Sequence, residues 1–226
     1  MSTPEPRRIR SFVRREGRLT AGQQRALETL YPLWGVNWQP NERLAVETLF
    51  DRPAPLVVDI GFGDGEALAQ MAAAHPERNY LGVEVYRAGT GQLLRRIENE
   101  GLTNLKVLLG DASDLLRQAI PTASLFGLQL FFPDPWPKKR HHKRRMVQAD
   151  WLKTVADRLA PGGFIHMATD WAEYAEWMLT LSTAEPTLEN LHGGFAPNAG
   201  ERPATRFERR GVRKGHDVFD LILQRA

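Results

Sequence analysis

From Leu56 onward, short apolar runs alternate with segments of helical spacing, and most runs end on a glycine or an acid. LVVDI (56–60), YLGVEV (80–85), LKVLLG (105–110), SLFGLQLFF (124–132) and FIHMAT (164–169) read as strands. VFDLILQ (218–224) closes the chain as another, and a short strand is expected near 187–191. Between them, 64–75, 87–100, 112–119, 144–160 and 171–182 read as helices, with apolar faces such as Leu68, Met71 and Ala72. This alternation predicts an α/β domain with a mostly parallel sheet. Right-handed crossovers then gather the functional loops at the carboxyl ends of the strands.

Upstream, residues 1–30 read as an Arg-rich arm, flexible or folded against a partner, with a helix from Thr20 or Ala21 to Leu30. Asn41 is placed to cap a short helix through Phe50. Pro53 and Pro55 then mark a boundary, giving an arm with short helices over 1–52 and a main domain over 53–226. The sequence has no cysteine, which excludes a disulfide scaffold, an iron–sulfur cluster and a Cys nucleophile. It has no run of membrane-spanning length and no secretory signal, so a cytoplasmic protein is expected.

The net charge of +3 conceals a division. Residues 1–25 carry +5, 138–145 carry +6 and 202–216 carry +5, leaving −13 for the rest. Three basic patches on an acidic body point to a polyanion, with nucleic acid the favoured partner.

Asp59-Ile-Gly61-Phe-Gly63-Asp-Gly65 lies where the first strand meets its helix. The spacing is GxGxG, not the GxGxxG of dinucleotide binders, and Asp64 and Glu66 would repel a pyrophosphate at that helix start. A nicotinamide oxidoreductase is thereby disfavoured, and a cationic or zwitterionic ligand fits better. Glu84 ends the second strand 19 positions after Gly65, where a carboxylate accepts from ribose hydroxyls. Asp111 ends the third, placed to accept from an adenine amine or to cap a helix. Asp59, inside an apolar strand, is suited to an amino group or to loop amides. Together these features resemble the class I S-adenosylmethionine-dependent methyltransferases. The resemblance implies a Rossmann-like fold, with a seven-stranded sheet, helices on both faces and an antiparallel last strand.

The most specific stretch is FFPDPWPKKRHHKRR (131–145), after the fourth strand. Prolines stiffen the loop around Asp134, Trp136 offers a face for a base, and the basic run suits phosphates. His141 and His142 lack ligand partners at metal spacing, so a phosphate-facing or solvated role is expected and no metal. With IGFGDG and GVEVY upstream, the N-terminal RSFVRREGRLTAGQ, ATDW after the fifth strand, and TRFERRG with Gly215-His216, the chain resembles the bacterial tRNA (guanine-N7)-methyltransferases.

That resemblance implies S-adenosylmethionine as cofactor, held by Asp59, Gly61, Gly63, Gly65, Glu84 and Asp111. It implies Asp134 as the catalytic residue, and Lys138, Asp170, Thr205, Arg206, Phe207 and Glu208 as substrate contacts. tRNA would be held through Arg140, His141, His142, Lys143, Arg144 and Arg145. Many members carry Glu where this chain has Asp59, which keeps the carboxylate but shortens it. No membrane and no obligate protein partner are implied. A methyltransferase acting on another RNA or base, and a non-catalytic RNA-binding module of this fold, remain open alternatives.

Overall fold

The computed structural model describes residues 11–12 and 18–226. The remainder of the expected arm, 1–10 and 13–17, lies outside the described residues. Among these, seven strands form one sheet: β1 (Leu56–Ile60), β2 (Asn79–Glu84), β3 (Leu105–Leu109), β4 (Leu125–Phe131), β5 (Leu159–Thr169), β6 (Leu188–Asn190) and β7 (Phe219–Arg225). Their order is β3-β2-β1-β4-β5-β7-β6. The pairs among β1 to β5 are parallel, and β7 runs antiparallel to both β5 and β6. All five residues of β1 are buried, as expected for a central strand covered on both faces.

The helices are α1 (Ala21–Thr29), α2 (Tyr31–Trp34), α3 (Glu66–Ala74), α4 (Arg87–Glu100), α5 (Ala112–Gln118), α6 (Ala149–Arg158), α7 (Ala172–Thr183) and α8 (Arg206–Val212). Thr20 and Gln23 form a capping box that starts α1 where the sequence placed it. Ala26 and Leu30 then join Leu93, Leu94 and Ile97 of α4 in one apolar cluster beside β2 and β3. The larger cluster packs Val58, Leu128 and Ile165 against α5, α6 and α7, and takes in Val36, Leu44 and Phe50.

Three expectations change in detail. Over 41–50 only Val46–Thr48 winds, into a single 3₁₀ turn. Asn41 is left-handed, and the Leu44 N–H donates to the Ala119 carbonyl instead of to a helical partner. The helix expected over 144–160 begins at Ala149, while Lys139–Arg144 is 3₁₀. Arg145 between them is extended, because its side chain turns into the core. Pro161–Gly163 does not precede β5 but lies inside it, at a register shift where Gly162 is left-handed.

Candidate functional site

The carboxyl ends of β1 and β4 and the start of a C-terminal helix meet at one cleft. It is lined by Asp59, Gly61, Phe62 and Asp64 on one side, and by Phe131, Phe132, Thr205, Arg206 and Phe207 on the other. Gly61 and Gly63 are left-handed, and a side chain at Gly61 would meet nothing within 4 Å. The loop therefore presents backbone to open space where a ligand can approach closely. Gly65 differs: it is buried, and a Cβ there would come within 2.7 Å of Leu93. It packs the loop on α4 and does not face the cleft. The sequence did not single out Gly89, where a Cβ would overlap the Gly63 carbonyl.

The Glu84 carboxylate ties the loop to β2. It accepts from the N–H groups of Gly63 (3.0 Å), Val85 (2.7 Å) and Tyr86 (3.1 Å). Burial raises the Glu84 pKa, and these N–H bonds oppose the rise. Burial, then the neighbouring Glu84 charge, pushes Asp59 up to about 8. Asp111 accepts from the Ser113 N–H (2.9 Å) and caps α5 through Oδ1. The carboxyl set suits a ligand bearing an ammonium and hydroxyl donors.

Asp134 is exposed on the loop after β4 and is not among the residues lining the cleft. It sits between two left-handed non-glycine residues, Phe132 (φ 52°) and Trp136 (φ 46°). Such backbone costs about 1–3 kcal/mol per residue and persists only when its surroundings hold it. Arg145 is one holder. Its side chain is fully buried, its Nε donates to the Pro135 carbonyl at 2.9 Å, and its Nη2 meets Glu173 at 3.2 Å. The guanidinium also lies over the rings of Tyr174 and Trp177.

This corrects two sequence readings. The Arg145 side chain is buried instead of facing solvent, and it braces the loop from beneath. Arg145→Ala is expected to lower stability by about 2–4 kcal/mol through cavity and lost hydrogen bonds, as read by thermal unfolding. Unchanged stability with weakened tRNA binding would return it to the interface. Trp136 offers no open face on the side where Arg144 stacks at 3.9 Å, and its indole N–H donates to the Ser11 carbonyl at 2.9 Å.

In the basic run, Lys138, Lys139, Arg140 and Lys143 are exposed. His141 is half-buried, with desolvation and then the neighbouring cations holding its pKa below the ordinary value. His142 packs on Trp177 near Glu173, and Arg144 on Trp136.

Thr205 and Glu208 form a capping box that starts α8, so Thr205, Arg206 and Phe207 reach the cleft. Phe207 is 59% exposed and lies over Gly63. Glu208 is not among the residues lining the cleft; it accepts from the Thr205 N–H (3.1 Å) and from the buried Arg202. Asp170, after β5, meets His216 Nδ1 at 3.2 Å, and Gly211 is bare where a Cβ would come within 2.8 Å of Asp170 Oδ2. Arg202, Asp220 and His166 were missed, because a lone Arg within a basic run reads as a surface cation. Among the described residues there is no cluster of three or more groups able to hold a metal ion, and no helix long and apolar enough to cross a membrane.

The sheet order, antiparallel β7 and glycine loop after β1 define a Rossmann-like methyltransferase of class I. The fold is similar to that of the 16S rRNA methyltransferase KamB, with TM-score 0.55 and 18% identity over 78% of this chain and 89% of that one. It is also similar to an rRNA methylase from Streptococcus thermophilus, with TM-score 0.51 and 15% identity over 76% and 87%. A family model described as "Putative methyltransferase" matches residues 53–221. The tRNA (guanine-N(7)-)-methyltransferase of Alkalilimnicola ehrlichii is 60% identical over 97% of this chain and 93% of its own. That of Halorhodospira halophila is 58% identical over 97% and 96%. The chain belongs to the tRNA (guanine-N(7)-)-methyltransferase family.

Proposed function

We propose that this chain transfers the methyl group of S-adenosylmethionine to nitrogen 7 of a guanosine in the variable loop of tRNA. The observation that carries the reading is the loop after β4. It presents an exposed carboxylate, Asp134, between two left-handed residues, with the basic run directly behind it.

When bound, S-adenosylmethionine supplies a sulfonium methyl open to in-line displacement. Nitrogen 7 of guanine carries no proton at neutral pH, so the protein needs no base to create the nucleophile. Its work is positioning and electrostatics. Asp59 is suited to the amino group, Glu84 to the ribose hydroxyls and Asp111 to the adenine amine. Asp134 accepts from the guanine ring N–H and exocyclic amine and stabilises the positive charge the purine gains. Asp170 adds a carboxylate from the end of β5. Phe207, exposed beside the cleft, has a face available for the base. Lys138, Lys139, Arg140 and Lys143 face the tRNA backbone, which contributes affinity more than base identity.

Asp59 gives this reading a proton signature. Its folded-state value of about 8 lies above the ordinary 3.8, so the free protein holds its proton at neutral pH. An ammonium against Asp59 favours the ionised form, so cofactor binding at neutral pH releases up to about one proton. Calorimetry in buffers of different ionisation enthalpy reads this directly. A binding heat independent of buffer removes Asp59 from the ammonium site. In the absence of ligand, the folded chain binds more protons than the unfolded one between about pH 4 and 8. Stability from this group therefore falls as pH rises through that window, and Asp59→Asn flattens the slope. Labelled methyl transfer to unmodified tRNA, compared with ribosomal RNA, tests the substrate class; transfer to ribosomal RNA alone contradicts it.

A further inference from the structure

We propose that His216 is a positioning residue for methyl transfer. With Gly211 it fixes the Asp170 carboxylate, so that one oxygen is held by the protein and the other is left for the substrate. This role rests on the methyl-transfer reading above.

Asp170 and His216 meet through the sheet. Strand β7 runs antiparallel to β5 with Thr169 opposite Phe219, so the residue after β5 lies beside the segment that leads into β7. There Asp170 Oδ2 is 3.2 Å from His216 Nδ1. A carboxylate facing Nδ1 requires the proton on that nitrogen, so the imidazole donates.

The turn after α8 aims the ring. Gly215 is left-handed (φ 79°). Its N–H donates to the Val212 carbonyl at 2.9 Å, and the His216 N–H donates to the Gly211 carbonyl at 3.1 Å. This pair of bonds is a Schellman termination, and it folds His216 back onto Gly211. A Cβ on Gly211 would come within 2.8 Å of Asp170 Oδ2. The bare backbone therefore lets α8 and Asp170 approach, and Oδ2 lies between Gly211 and the imidazole. Asp170 Oδ1 has no protein hydrogen bond among the described residues.

The Asp170 side chain is 31% exposed and that of His216 is 43% exposed. A contact this open adds little to stability. What it adds is direction: a carboxylate held through one oxygen presents its charge along a single line.

Steady-state methyl transfer to tRNA by His216→Ala, His216→Asn and Gly211→Ala tests this. His216→Ala is expected to lower kcat by about tenfold while KM for tRNA stays within about twofold, since misplacement by about 1 Å costs up to about 10²-fold. His216→Asn returns a side-chain N–H near the place of Nδ1, and kcat is expected within about threefold of wild type. Gly211→Ala is expected to lower kcat by about tenfold by displacing Oδ2. Its melting temperature should not fall, because alanine favours a helix and the end of the Asp170 side chain can move. An unchanged kcat in His216→Ala overturns the proposal. So does a raised KM with kcat unchanged, which would make His216 an RNA contact, and so do equal losses in His216→Ala and His216→Asn. Asp170→Ala with wild-type kcat would also overturn it, by removing the carboxylate from the reaction. The position of the methyl in the wild-type product tests the functional reading separately: a methyl elsewhere than on nitrogen 7 contradicts that reading, while the order of the variants still decides the role of His216.

Discussion

Asp134→Ala is expected to lower methyl transfer by about 10²–10³-fold while S-adenosylmethionine still binds, the scale of removing one preorganised electrostatic partner. The separation follows from the geometry. Asp134 stands on the loop after β4, whereas the carboxylates suited to the cofactor belong to β1 and β2 and to the cap of α5. Single-turnover transfer and calorimetry measure the two halves independently. Turnover near wild type would remove Asp134 from catalysis. Loss of cofactor binding instead would move it to the cofactor site. Asp134→Asn sharpens the result, since it keeps the shape and an acceptor oxygen but loses the charge that answers the developing purine cation.

The second large effect is expected on binding. Neutralising Lys138, Lys139, Arg140 and Lys143 together removes the exposed cations of the run and leaves Arg145 in the core. If each meets a phosphate, the slope of log affinity against log salt shrinks by about 3. Affinity at low salt falls by about 10²-fold or more on the same basis. Titration of tRNA at several salt concentrations gives both numbers. An unchanged slope would place the RNA elsewhere on the protein.

Much of this was legible in the sequence because period and punctuation carry it. LVVDI followed by GxGxG specifies a buried strand and a sharp turn, and such local signals do not depend on the rest of the chain. Asp59, Glu84, Asp111 and Asp134 stood out as acids at or near strand ends; the structure puts Asp59 in the cleft, Glu84 on the glycine loop, Asp111 at the cap of α5 and Asp134 on the exposed loop after β4. Burial was not legible. Arg145 and Arg202 read as members of basic patches, yet both guanidiniums lie in the core, where partners from distant elements compensate them. Glu208 was read only as a substrate contact; its bonds to Thr205 and Arg202, which make it part of the α8 cap, were not legible. Trp136 was read as an open platform, but Arg144 and Ser11 engage it. In each case a contact between residues far apart in the chain, or between neighbours folded back on each other, decides which way the side chain turns.

The opening of α6 shows the same limit on a smaller scale. Helical spacing over 144–160 gave no sign that Arg145 would be extended. Only the carbonyl of Pro135, ten residues upstream, explains why the chain breaks there.

Labelled methyl transfer from S-adenosylmethionine to unmodified tRNA, followed by chain cleavage specific for 7-methylguanosine, tests the central claim most directly. Transfer together with a single cleavage in the variable loop is the predicted result. Transfer without cleavage, or cleavage elsewhere in the tRNA, would contradict it.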